Sequence, residues 1–95
     1  MATINFTNVD FTKDAYPRNL ARIALEIKAT WKNVSIYAEP YLNAMLHIHS
    51  SDKGAPYYAD DAQSVVAYFL ANAQGYRGEA ARRIKKELKE QYGIK

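Results

Sequence analysis

The chain contains no cysteine. That excludes disulfides, thiolate metal sites and cysteine nucleophiles together, and it fits a reducing compartment. It also lacks an apolar run long enough to cross a membrane. The longest, Val65–Ala71, is far below the ~20 residues a span needs. The opening MATINFTNVDFTKD has no basic region followed by an apolar one, so no secretory signal is expected. The triplets Asn5-Phe6-Thr7 and Asn33-Val34-Ser35 then read as chance matches rather than glycosylation sites. The expectation is a cytoplasmic protein with no membrane contact. Catalytic signatures are missing too. There is no GxSxG, no P-loop and no Gly-rich dinucleotide turn, and Lys53-Gly54 lacks the glycine spacing that cradles phosphate. Neither an enzyme nor a cofactor is expected. No internal repeat or low-complexity tract is visible.

What is present describes one globular unit. Ninety-five residues suit a single domain. A hydrophobic content of 48% with 24% charged residues is ordinary for a folded chain. The net charge of +3 is mild but unevenly placed. From Tyr76 to Lys95 there are seven Lys or Arg against three Glu, a net +4. The remaining 75 residues carry six basic and seven acidic groups, a net −1. An asymmetry of this kind directs attention to anionic partners.

Apolar periodicity places four helices. Residues 1–13 alternate loosely around Ile4 and Phe6, which suggests a short strand or extended arm. The first helix, about 16–33, begins near Pro17, since proline suits a first turn. Leu20, Ile23, Ala24, Ile27, Trp31 and Val34 form its inward stripe, with Arg18, Arg22, Lys28 and Lys32 off it. The second, about 39–49, starts at Glu39–Pro40 after a break and is apolar on most sides. The third, about 61–74, has Asp60 as N-cap with Gln63 three places on, and Gly75 as a left-handed end. The fourth, about 79–92, turns Ala81, Ile84, Leu88 and Tyr92 inward and closes at Gly93. The fold class expected is all-α: a four-helix single domain with a short N-terminal arm or strand.

The third and fourth helices are separated by only Gly75-Tyr76-Arg77-Gly78, a short glycine-containing turn of the kind helix-turn-helix units use. The stretch AYFLANAQGYRGEAARRIKKEL partly resembles that motif, with Ala71 as the small contact residue and Tyr76 and Ile84 at apolar positions. Gln74 and Ala81 depart from it. The resemblance implies that the fourth helix enters the major groove of DNA. Arg77, Arg82, Arg83 and Lys86 would then read bases, while Lys85 and Lys89 position the helix on phosphates. On a helical wheel Arg82, Lys85, Lys86 and Lys89 make one cationic stripe, placed opposite the apolar one. A plainer alternative stands beside it. Glu79, Arg83 and Glu87 form an i, i+4 ladder and Lys86 pairs with Glu90, as on any solvated helix.

Other features suggest a different class of function. Eight tyrosines are many for this length, and tyrosine is enriched at interfaces. Tyr57, Tyr58 and Tyr76 are the candidates for an interaction surface, for a protein partner or a homodimer. His47 and His49, two residues apart, diverge by about 200° on a regular helix. No metal site is expected from them with Glu39, Asp52, Asp60 or Asp61; His47 should be half-buried and His49 exposed. The segment VVAYFLANAQGYRGEAARRIKKELK is similar to stretches of small bacteriophage-encoded helical proteins. That resemblance implies DNA, RNA or a host protein as partner and supplies no site residues. Nucleic-acid binding without catalysis is the leading expectation, and a protein-interaction module or inhibitor is the alternative.

Overall fold

In a computed structural model that describes residues 10–94, the chain folds into four helices and one minimal hairpin. These are α1 (Leu20–Thr30), α2 (Glu39–Leu46), β1 (Pro56–Tyr57), β2 (Asp60–Asp61), α3 (Ala62–Ala71) and α4 (Glu79–Tyr92). The protein is mostly helical. The hairpin, antiparallel with Pro56 opposite Asp61 and Tyr57 opposite Asp60, is absent from the all-α expectation. Its two-residue turn needs a positive φ at the first position, and Tyr58 supplies it at φ 55°. The strand or arm expected around Ile4 and Phe6 lies outside the described residues.

Helix ends follow local hydrogen bonding more than proline placement. α1 begins at Leu20 rather than near Pro17, because the Asn19 side chain accepts from the Arg22 N–H at 2.9 Å and acts as N-cap. The next unsatisfied donors of its first turn are taken by the segment after α2: Leu20 N–H donates to Ser50 O and Ala21 N–H to Ile48 O, both at 2.9 Å. Those contacts pull residues 47–51 out of helix, so α2 ends at Leu46 instead of His49. α3 is capped by Asp61, which accepts from the Ser64 N–H at 2.8 Å, and not by Asp60. Asp60 is engaged in the hairpin. α3 stops at Ala71 with Asn72 as cap, so Gly75 is not its left-handed end. α4 has the bounds expected, and Gly93 (φ 66°) is its left-handed cap, with Gly93 and Ile94 N–H both donating to Lys89 O.

The core is one cluster in which Leu20, Ile23, Ile27, Leu42, Met45, Phe69, Ile84 and Leu88 are sealed from solvent. Each such side chain contributes about 1.5–3 kcal/mol on burial. Trp31 stacks on Tyr76 (5.1 Å) and meets Phe69 edge-on (6.2 Å), so the end of α1 is clamped against the loop before α4. α2 packs on α1 and α3, and α4 packs against the same two helices. α4 runs antiparallel to both. Gln63 Nε2 near the start of α3 donates to Tyr92 O (2.8 Å), while Lys85 reaches Ala73 beyond the end of α3. On the other side Arg83 meets Glu26, and Gln91 meets Arg18.

One side chain departs sharply from its expected place. Arg18, read as lying off the apolar stripe, is 2% exposed. Its Nε and Nη2 donate to the two Glu87 carboxylate oxygens (2.9 and 2.7 Å), and Nη1 donates to Glu26 (2.8 Å) and Asp14 (3.1 Å). Arg22 Nε donates to Asp14 (3.0 Å), and Arg83 donates to Glu26 (2.5 Å). Three guanidinium groups thus face three carboxylates across α1, α4 and the segment before α1. Among the described residues no buried side-chain polar atom is left without a partner, as a low-dielectric site requires.

Candidate nucleic-acid interface

α4 sorts its charges by flank. At 100° per residue, Ala81, Ile84, Leu88 and Tyr92 define the buried stripe. On the α1 side of that stripe stand Glu87 and Gln91, with Arg83 further out. Glu87 and Arg83 are committed to the Arg18 network, and Gln91 Nε2 donates to Arg18 O at 2.7 Å. The Glu79–Arg83–Glu87 ladder therefore does not form, because the stronger partners are buried carboxylate and guanidinium groups on α1 and the segment before it. On the α3 side stand Lys85 and Lys89, with Arg82 beyond them. Lys86 lies outermost with Glu79 and Glu90, and its ammonium is 3.9 Å from Glu90.

The cationic stripe is thus a flank and not the face opposite the core. Lys85 is its innermost member. Its Nζ donates to Ala73 O at 2.8 Å, satisfying a carbonyl beyond the end of α3, and lies 5.8 Å from the Tyr76 ring centre. Partial burial lowers the affinity of Lys85 for its proton, and the charges of Lys89 and Arg77 lower it further. At helical spacing Lys85 and Lys89 share this flank with Arg82, and Arg77 lies in the loop just before the helix. Arg77 is exposed and reaches back to Gln74 O (3.4 Å). Arg82 and Lys89 are exposed, and among the described residues neither makes an ion pair. Of the six cations expected to form the site, the structure leaves Arg77, Arg82 and Lys89 open and Lys86 loosely paired. It engages Lys85 and Arg83.

The helix-turn-helix geometry is altered by the loop. The connection runs from residue 72 to 78, seven residues rather than four. Ala71, expected at the helix–helix contact, is exposed, while Ala73 and Tyr76 in the loop are buried. Tyr76 is 1% exposed, with its hydroxyl 2.6 Å from Thr30 Oγ1, and burial raises its pKa. It is a core residue and leaves the expected interaction surface. Tyr57 is half-buried and Tyr58 is 94% exposed. The expected surface of Tyr57, Tyr58 and Tyr76 did not include a second exposed group, Ile36 (76%) and Tyr37 (69%) at the α1–α2 turn, or the Tyr41–Tyr68 pair, whose rings are 5.4 Å apart. A run of three apolar residues between polar ones, Ile36-Tyr37-Ala38 between Ser35 and Glu39, carries only a weak signal of exposure, and its third member, Ala38, is buried.

His47 and His49 are both exposed, which corrects the half-buried reading of His47. Without residues 47–49 in helix, the pair also loses its expected geometry. Among the described residues no group of three His, Asp or Glu is placed to hold a metal ion, and no helix is long and apolar enough to cross a membrane. An open groove lies between the segment before α1 and the outer side of α4, bounded by Tyr16, Pro17, Arg83, Lys86, Glu87 and Glu90. Its cations and carboxylates balance, so it concentrates neither sign of charge.

Comparison with known protein families, curated proteins and solved structures finds no match to the chain. The class that the fold and the site define is a small, mostly helical domain whose last helix carries a one-sided basic flank.

Proposed function

We propose that the protein is a non-catalytic nucleic-acid-binding domain that contacts its ligand through α4 and the loop before it. The observation that carries this reading is the α4 flank of Arg82, Lys85 and Lys89 with Arg77 in the loop before it, of which Arg77, Arg82 and Lys89 are exposed and make no ion pair among the described residues. A cluster of unpaired cations attracts phosphate and releases counterions when it binds. The test is fluorescence anisotropy of a labelled mixed-sequence duplex at about 50 and 200 mM salt. Micromolar binding that weakens steeply with salt supports the reading, and no binding at the lower salt removes it.

A second reading, a protein-interaction module, draws on Ile36, Tyr37 and Tyr58, all more than two-thirds exposed. Large apolar side chains exposed on turns suit a partner's pocket. Sedimentation velocity of the wild type against Tyr37→Ser and Tyr58→Ala tests the homodimer form. A monomer at every concentration excludes that form.

A further inference from the structure

We propose that the flank of α4 holds the phosphodiester backbone of a nucleic acid and does not read its bases, with Arg77, Arg82 and Lys89 each meeting phosphate. The inference rests on the nucleic-acid reading above and specifies its ligand contacts.

Base reading needs a side chain free to enter a groove and aim at a base edge. Arg83, whose fork would suit guanine O6 and N7, is held by Glu26 across to α1. Lys86 shares the outer face with Glu79 and Glu90, both exposed. Pushing that face into a groove would bring two carboxylates toward the phosphates that line it, which is electrostatically unfavourable. Base stacking needs an open aromatic face. The ring beneath the cationic edge is Tyr76, which is buried and already stacked on Trp31 at 5.1 Å. No ring there can accept a base.

Phosphate contact needs less. It requires only long cationic side chains, unpaired and set apart along a line. Arg82 and Lys89 are seven residues apart, about 10.5 Å along the helix axis, and Arg77 extends the row into the loop. Lys85 adds charge, but its hydrogen bond to Ala73 O ties it to the end of α3. Glu79 and Glu90 border the row on its outer side and confine an anion to the edge facing α3. Three neutralised phosphates predict a slope of log affinity against log salt between about −2 and −3, the duplex at the steeper end and a single strand at the shallower.

The experiment titrates four labelled probes, an all-GC duplex, an all-AT duplex, a mixed duplex and oligo-dT, at several salt concentrations. The expected result is duplex affinities within about threefold of one another. Arg77→Gln, Arg82→Gln and Lys89→Gln should each reduce the salt slope by roughly 0.7–0.9, with the melting temperature unchanged for these exposed side chains. Comparing oligo-dT with the duplexes identifies which backbone spacing the row fits. A tenfold preference among the duplexes, lost in Arg82→Gln, overturns the inference in favour of base reading. So does a salt slope that none of the three variants alters. No binding to any probe at the lowest salt defeats the nucleic-acid reading itself, a result distinct from both.

Discussion

Replacing Arg18 with methionine keeps most of its apolar stem and removes the guanidinium at the centre of the α1–α4 contact. Arg83 still neutralises Glu26 and Arg22 still holds Asp14. Glu87, mostly buried, loses both of its hydrogen bonds and its only close cation among the described residues. Removing one partner of a buried ion pair costs about 3–5 kcal/mol, because the other charge is left without compensation. Glu87 retains some solvent, which favours the low end, about 3 kcal/mol. A domain of this size has about 5–15 kcal/mol in total. At about 4–8 °C per kcal/mol, the melting temperature should fall by roughly 12–24 °C. Urea unfolding followed by helical circular dichroism measures the free energy directly. Adding Glu87→Met removes the stranded charge as well, and the double variant should recover more than half of the loss, since an apolar pair can replace a buried ion pair with little change. A loss under about 1 kcal/mol for Arg18→Met would refute the reasoning, as would a double variant no more stable than the single one.

Three further outcomes are expected. Asp61→Ala should lower the melting temperature by removing the α3 cap, whereas Asp60→Ala should leave it almost in place; the reverse order would reassign the cap. Hydrogen bonds from Arg22 hold Asp14 below the usual carboxylate range, as those from the Ser64 N–H do for Asp61. Folded carboxylates of lowered pKa bind protons less readily than the unfolded chain does. Their stabilisation is therefore complete above the unfolded value near 3.9 and is lost as pH falls through the lower folded values. The urea midpoint should hold steady from pH 7 to 5 and decline below about pH 4; a decline that starts near pH 6 would point to other groups. Gly93→Ala should cost about 1–2 kcal/mol, since its φ of 66° is left-handed. Gly75→Ala should not, because its φ is not left-handed and an added Cβ meets Trp31 at an ordinary 3.7 Å. Equal losses on thermal melting would contradict this assignment.

Much of the architecture is written in short-range pattern. The stripes Leu20–Ile23–Ile27 and Ala81–Ile84–Leu88 repeat at helical spacing, and such repeats act within one or two turns of chain, so the helices could be placed from residues alone. The same holds for Gly93, whose missing Cβ suits a left-handed cap regardless of what surrounds it. The uneven charge of the last twenty residues is likewise a property of the sequence. What local pattern could not supply is the partner of each side chain. Arg18 and Glu87 are 69 residues apart and meet only because α1 and α4 run antiparallel. Whether Arg83 faces solvent or Glu26 depends on that same packing. α2 stops at Leu46 because the 47–51 segment folds back to satisfy α1's first amides. Tyr76 was drawn inward by Trp31 and Thr30, some 45 residues away in sequence, and Lys85 by a carbonyl beyond the end of α3. The sequence by itself determined that there are helices and that the last one is basic. Tertiary structure decided which charges neutralise one another in the interior and which remain open at the surface, because pairing depends on distance in space and not along the chain.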